Sequence, residues 1–429
     1  MASVKDRDEV SPAAGAVTIR SILGNRAIAT QIYLAFVVMV GLGLVLPVLP
    51  LFARSFGVGY AAAGMFVSSI GITRLAFDLI GGSIVDRIGE RKSGAIGLVV
   101  LAVCSLATAL APTFAIAVIF WGIGGAGSSI LFAAQYSYLL KVAPKSSVAR
   151  TLGVYYGAFN LGIVGGGVVG GIIADNFGLA SPLIFYSGIL TFAALLYLKF
   201  IVDPGARARS DAAPDEAGDG STFQRGMFGR LGELFRTGGF ITAIVLNFAY
   251  MWFVAAVFDT LVPLYSQESL GMSPSGVGVM FAIALATEFV VLYPAGVLAD
   301  RRGRKFVLIP AFAALAAVTI LLGTAGTIVL FALGMGLLGI ASGFAGVPPA
   351  AVLSDVVPES SSGLGVGAYR FAGDLAFVFG PVLTGATIAG LGFQAAFVLA
   401  AVPLTLALVV VVRTPETMAR PETSSIELA

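Results

Sequence analysis

Six ionisable residues stand inside long apolar runs of this chain: Arg74, Asp78, Asp259, Glu288, Arg370 and Asp374. A charge in hydrocarbon is costly unless it is paired or faces water, so each marks a candidate site for handling an ion, a proton or a polar solute. Arg74 with Asp78, and Arg370 with Asp374, are spaced i,i+4 and could pair within their own helices. Glu288 differs, because its i±3 and i±4 neighbours Ala284, Leu285, Val291 and Leu292 carry no charge. It needs a partner from another segment or a proton, and a carboxyl whose exposure alternates can take up and release one. Asp259 stands near the end of its run and reads as a carboxylate at the aqueous rim, or as a second proton site. Little other chemistry is left. With no histidine and a lone cysteine, Cys104, a disulfide framework, a His/Cys metal site and ordinarily ligated haem or iron–sulfur centres are excluded. No catalytic residues, no metal and no cofactor are expected, and the chain is not read as an enzyme.

The elements that must carry these residues follow from composition. Of 429 residues 58% are apolar and 11% charged, against about 25% charged in soluble domains. At about 20 apolar residues per membrane span, runs can be read at roughly 31–54, 59–84, 93–111, 114–140, 150–173, 180–202, 240–266, 274–299, 305–324, 327–353, 363–388 and 391–412. They are too long and too plain for barrel strands, so the fold class is an all-α membrane protein of twelve transmembrane helices. The polar start carries Lys5, Arg7, Arg20 and Arg26, and the run after it exceeds a signal peptide. With the amino terminus inside, only Arg54 faces outward and Arg74 and Arg370 lie within spans, which leaves 22 of 25 Lys and Arg on the cytoplasmic side. The expected order is a cytoplasmic tail 1–30, a six-helix bundle 31–202, a flexible cytoplasmic linker 203–239 with room for an amphipathic helix around Phe223 to Phe235, a second bundle 240–412 and a cytoplasmic tail 413–429. The place expected is the plasma (inner) membrane, multi-pass, with both termini cytoplasmic; no Asn-x-Ser/Thr acceptor occurs in the chain.

The chain also repeats itself. GSIVDRIGERK from Gly82 returns as GVLADRRGRKF from Gly296, an offset of 296 − 82 = 214 residues, and Gly122, Pro144 and Gly153 map onto Gly336, Pro358 and Gly367. Because six is even, the two six-helix bundles are parallel repeats. The offset also places Arg74 on Glu288 and Asn160 on Asp374.

These repeats carry a resemblance to the major facilitator superfamily of secondary transporters over essentially the whole chain. The signature between spans two and three is present as Gly82, Asp86, Arg87, Gly89, Arg91 and Lys92, with Glu90 where the family has its first Arg; the second copy is complete as Gly296, Asp300, Arg301, Gly303, Arg304 and Lys305. Span one ends in GLGLVLPVLPLF and span five carries Gly153, Gly162, Gly166, Gly167, Gly170 and Gly171, which resembles the motif of the drug:proton antiporter branch except that Gly167 replaces its usual proline. The resemblance implies export by two bundles rocking about a central site. The cation that the branch carries ahead of the span-four glycines is missing, since Val118 stands there. Laid on the family's fold, Arg74 comes beside Asp374 and Glu288 beside Asn160, which suggests that Glu288 carries the proton with Asn160 as its neutral partner. Spans one, four, seven and ten line the family's cavity; here they hold Phe36, Met39, Trp121, Gln135, Tyr136, Tyr138, Asn247, Tyr250, Met251, Trp252, Phe258 and Phe344. Aromatics and methionines around a few amides suit a bulky, partly apolar solute. The function expected is proton-coupled efflux of hydrophobic or amphiphilic small molecules by a monomer, with substrate, protons and the lipid bilayer as partners, no nucleic acid, and the proton gradient in place of a cofactor. The alternative is a sugar or organic-acid transporter of the same fold.

Overall fold

The structure, a computed structural model, describes residues 19–144, 148–202, 229, 231–358 and 362–418. The tail before residue 19, the linker 203–228 with most of its expected amphipathic stretch, and the tail after 418 lie outside the described residues. Six helices form the first half: α1 (Arg26–Val45, continued by Leu49–Arg54), α2 (Tyr60–Ile88), α3 (Glu90–Ala109), α4 (Phe114–Val142), α5 (Val148–Phe177) and α6 (Ser181–Phe200). The second half begins with α7, helical from Gly238–Trp252, π-helical over Phe253–Leu261 and α-helical again at Val262–Glu268. Then come α8 (Pro274–Arg302), α9 (Arg304–Leu322) and α10 (Ile328–Gly346, continued by Pro348–Val356). The last helical stretch, Ser362–Arg413, is 52 residues long and breaks at Gly392, where φ is +82°. A straight helix of that length would be about 78 Å long, more than twice the bilayer core, so the break divides α11 (362–391) from α12 (393–413) and makes twelve spans of eleven long apolar helices.

The duplication reaches the backbone. The positive-φ glycines of the described residues fall into three pairs 214 apart: Gly57 with Gly271, Gly89 with Gly303, and Gly178 with Gly392. At Gly89 and Gly303, φ of +89° and +104° closes the tight turn from α2 to α3 and from α8 to α9, a conformation that a side chain would strain. Helix starts repeat too: Thr113 caps α4 by accepting from the Ile116 N–H, and Thr327 caps α10 by accepting from the Leu330 N–H. The two halves can therefore be compared residue by residue.

Each half has its own apolar core, around Phe66, Leu98, Leu131, Leu190 and Tyr197 in the first and Phe253, Phe281, Phe312, Phe331 and Phe397 in the second. The halves meet along two seams, α2 against α11 and α5 against α8. Both close at the end away from the signature loops, where glycine lets backbones touch. A Cβ on Gly64 would overlap the carbonyl of Pro381, and one on Gly385 that of Tyr60; at the matching positions of the other seam, Gly278 meets the carbonyl of Gly167 and Gly171 that of Pro274. Toward the signature loops the pattern reverses, and a Cβ on Gly82, Gly153, Gly157 or Gly367 would meet nothing within 4 Å.

Candidate functional site

The charges of α2 and α11 pair across the first seam and not along their helices. Arg74 Nη2 lies 3.2 Å from Asp374 Oδ1, and Arg370 Nη2 lies 2.9 Å from Asp78 Oδ2. The two helices run in opposite directions and each carries Arg before Asp, so antiparallel packing sets every Arg level with an Asp of the other half. The i,i+4 pairing open to the sequence is not what forms; Arg ahead of Asp is the less favourable order along a helix.

At the depth of those pairs the second seam is neutral apart from Glu288; nearer its closed end Asp175 of α5 accepts from the Ser275 N–H of α8 at 3.1 Å. Its carboxylate accepts from Tyr250 Oη of α7 at 3.3 Å and from Ser342 Oγ of α10 at 3.0 Å. Asn160 lines the same cavity, but no hydrogen bond joins it to Glu288, which corrects the expected pair. Glu288 turns away from the seam, back into its own half, because α7 and α10 offer two hydroxyls there.

Both seams border a central cavity of about 510 Å³ that reaches Arg74, Asn160, Asp259, Glu288, Arg370 and Asp374. Of the residues expected to line it, Met39, Trp121, Asn247, Tyr250, Met251 and Phe258 do. Phe36, Trp252 and Phe344 are not on its wall, and Tyr136 opens instead onto a smaller cleft beside Asp78, Lys141 and Arg370. Gln135 and Tyr138 are buried inside the first half, each 2% exposed. The sequence reasoning missed Phe132, Tyr156, Phe159, Tyr186, Ser342, Tyr369 and Phe377 on the wall. Several of these belong to the seam helices α5 and α11, whose positions between the halves give them cavity faces as well. The Asn247 amide donates to the Tyr369 carbonyl at 2.6 Å, tying α7 to α11.

Asp259 is no rim residue. It is 7% exposed, lies on the cavity wall, and has no hydrogen bond or ion pair among the described residues. The helix continues nine residues beyond it to Glu268, about 13 Å, which puts it well inside. Its stretch of α7 is π-helical, and the Thr260 hydroxyl donates to the Ala255 carbonyl five residues back.

The span-five glycines divide into two faces. Gly162, Gly166 and Gly170 recur every fourth residue and press on the backbone of α1 at Phe36, Val40 and Leu44; Gly167 and Gly171 face α8. Beyond the glycine contacts, Arg54 and Glu268 of the two halves lie 3.2 Å apart, with the Arg54 guanidinium 4.3 Å over the Tyr60 ring.

At the signature loops the halves agree in geometry and differ in charge. Glu90 accepts from Ser137 at 2.9 Å and from Lys141, both on α4; at the same places in the second half, Arg304 donates to Asp355 at 3.1 Å and pairs with Asp300. The departure at Glu90 is thus a reversal of the pair: Glu90 with Lys141 occupies the positions of Arg304 with Asp355. Arg91 donates to the Leu198 carbonyl and Lys305 to that of Val412, again equivalent positions. Asp86, Arg87, Lys92 and Arg301 are exposed. Glu416, beyond α12, accepts from the N–H groups of Arg304 and Lys305 at 3.0 Å each. Partial burial pushes its carboxyl up, but the backbone donors of Lys305, Met418, Arg304 and Thr417 outweigh that and hold it below the usual carboxylate range.

The sequence profile of the Major Facilitator Superfamily matches residues 32–287 and 253–427. The chain belongs to that superfamily. Major facilitators are membrane transporters, and this one is a multi-pass member of the group. It is 24% identical over 255 residues to the quinolone resistance protein NorA of Staphylococcus aureus, a match over 59% of this chain and 62% of NorA. It is also 24% identical over 271 residues to multidrug resistance protein 2 of Bacillus subtilis, covering 63% of this chain and 66% of that one. The chain thus spans less than two thirds of NorA. Among solved structures its fold matches a D-xylose-proton symporter with a TM-score of 0.73 at 19% identity, covering 91% of this chain and 98% of the symporter. The nucleoside transporter NupG matches with a TM-score of 0.71 at 14% identity, covering 90% and 99%.

Proposed function

We propose that this facilitator is a proton-coupled exporter of hydrophobic or amphiphilic small molecules, working as a monomer in the plasma membrane with both termini cytoplasmic. The observation that carries the reading is a carboxyl without a counter-cation, Glu288, on the wall of an aromatic cavity between two halves whose closest backbone contacts lie at one end. With the signature loops placed inside, the cavity opens to the cytoplasm and a solute can enter from there. Glu288 binds a proton while it faces outside and releases it inside. Tyr250 and Ser342 hold its carboxyl, and no ion pair has to break for it to change charge. Arg74 with Asp374 and Arg370 with Asp78 keep the other seam joined while the halves rock. The resemblance to the two resistance proteins supports solute efflux, and the cavity's Trp121, Phe132, Phe159, Phe258 and Phe377 supply faces for a flat apolar body.

The test is proton flux in vesicles loaded with a pH-sensitive dye, under an imposed gradient, with a panel of lipophilic cations. Wild type should respond, and Glu288→Gln should lose the response while still binding solute. A Glu288→Gln protein that stays coupled ends the proton assignment. Silence to the panel with flux on sugars or organic acids moves the substrate to those classes.

A further inference from the structure

The base of the first half, beside the signature loop, is polar where the second half is not. Gln31, Ser93, Thr151 and Tyr197 are 0% exposed and Gln135 is 2% exposed. At the equivalent positions the second half has Val245, Val307, Gly365, Val411 and Pro349. Five helices contribute, α1, α3, α4, α5 and α6, and the residues converge: the Tyr197 ring lies on Gly94 next to Ser93, Tyr197 lies against Gln31, and Tyr155, one turn beyond Thr151, donates to Gln135 Oε1 at 2.7 Å.

Six buried polar atoms here make no well-aligned hydrogen bond: both amide atoms of Gln31, Ser93 Oγ, Gln135 Nε2, Thr151 Oγ1 and Tyr197 Oη, with the Gln31 amide and the Tyr197 hydroxyl close to each other. Such atoms are rare in folded proteins, and each unsatisfied one is strongly unfavourable. The fold does not require them, since its twin fills the same positions with three valines, a glycine and a proline. A polar occupant is the arrangement that satisfies them together.

We propose that the base of the first half encloses ordered water held by Gln31, Ser93, Gln135, Thr151 and Tyr197. Buried waters make about three hydrogen bonds each, so two or three molecules satisfy the cluster.

X-ray hydroxyl-radical footprinting of the full-length protein in nanodiscs tests this, because radicals form from water in place and label side chains that touch it. Tyr197 should be modified severalfold faster than Phe331 and Phe397, which are equally buried at 0% in the second half. Ser93→Ala should cut Tyr197 labelling severalfold. The triple variant Gln31→Val, Ser93→Val, Tyr197→Phe, which borrows two residues from the twin, should melt no lower than wild type and lose labelling of neighbouring Tyr155. Labelling of Tyr197 no faster than of Phe331, or unchanged in Ser93→Ala, overturns the proposal, and these two measurements decide it even if the triple variant does not fold.

Discussion

Between α2 and α11 the chain sets Arg74 against Asp374 and Asp78 against Arg370; at the same depth between α5 and α8 it has Glu288, Asn160, Leu292 and Tyr156. The backbones of both seams are joined by the same contacts, Gly64 with Pro381 and Tyr60 with Gly385 in one, Gly278 with Gly167 and Pro274 with Gly171 in the other. Docking of the halves is therefore set by small residues, and the charges added at mid-depth are free to differ. In the charged seam, removing one charge orphans another. In the neutral seam a carboxyl can gain or lose a proton without leaving a cation unpaired, which is the property a coupling site needs.

Making the seams alike should have the largest effect. Asn160→Asp with Glu288→Arg copies the charged rung into the second seam; it should fold, because the backbone contacts are unchanged, and show no proton-coupled flux in vesicles. Coupled flux would mean that the difference between the seams is not the coupling device. Next comes breaking the existing rung. Asp374→Asn strands the Arg74 charge and should cost about 3–5 kcal/mol, seen as a large fall in melting temperature, with Arg74→Gln recovering most of it in the double variant. Equal melting of the single and double variants would show that the rung is not a unit.

The signature loops offer the same comparison on a smaller scale. Glu90→Arg places two cations together and should lower stability by about 1 kcal/mol, discounted because Lys141 is partly exposed; adding Lys141→Asp reproduces the second half's polarity and should restore it. The smallest effect belongs to Glu416→Gln. The Glu416 carboxyl titrates lower folded than unfolded, so its contribution is present above the ordinary carboxylate value of about 4.3 and fades as pH falls through the lower folded value. The wild type should lose a little melting temperature there that Glu416→Gln does not; matching curves would remove Glu416 from the account.

The fold could be read from the chain because hydropathy and repeat act at every position. Twelve runs and one offset gave the spans, and the one apparent shortfall, eleven helices, is a kink at Gly392. The crossed pairs were within reach as well, since antiparallel helices with charges in the same order leave few other matches. Side-chain direction was not. Glu288 was set opposite Asn160 by symmetry, yet Ser342, an ordinary serine in an apolar helix, turns it the other way. Lys141 answers Glu90 from 51 residues away, and only the offset to Asp355 could have drawn attention to it. The π-helical turn of α7 has no sequence signal of the kind that glycine or proline gives, so Asp259 looked nearer the surface than it is.

Arg54 and Glu268 are equivalent positions of the two halves, 268 − 54 = 214, and they meet each other, so their contact straddles the pseudo-twofold axis. A symmetric pair of identical halves would bring the same residue to both sides of that axis, arginine against arginine or glutamate against glutamate, and would push itself open there. Attraction of opposite charges at that point requires two halves of different sequence, which duplication within one chain permits. The lock at the closed end is in this sense a property of the fusion, which no homodimer of either half could have.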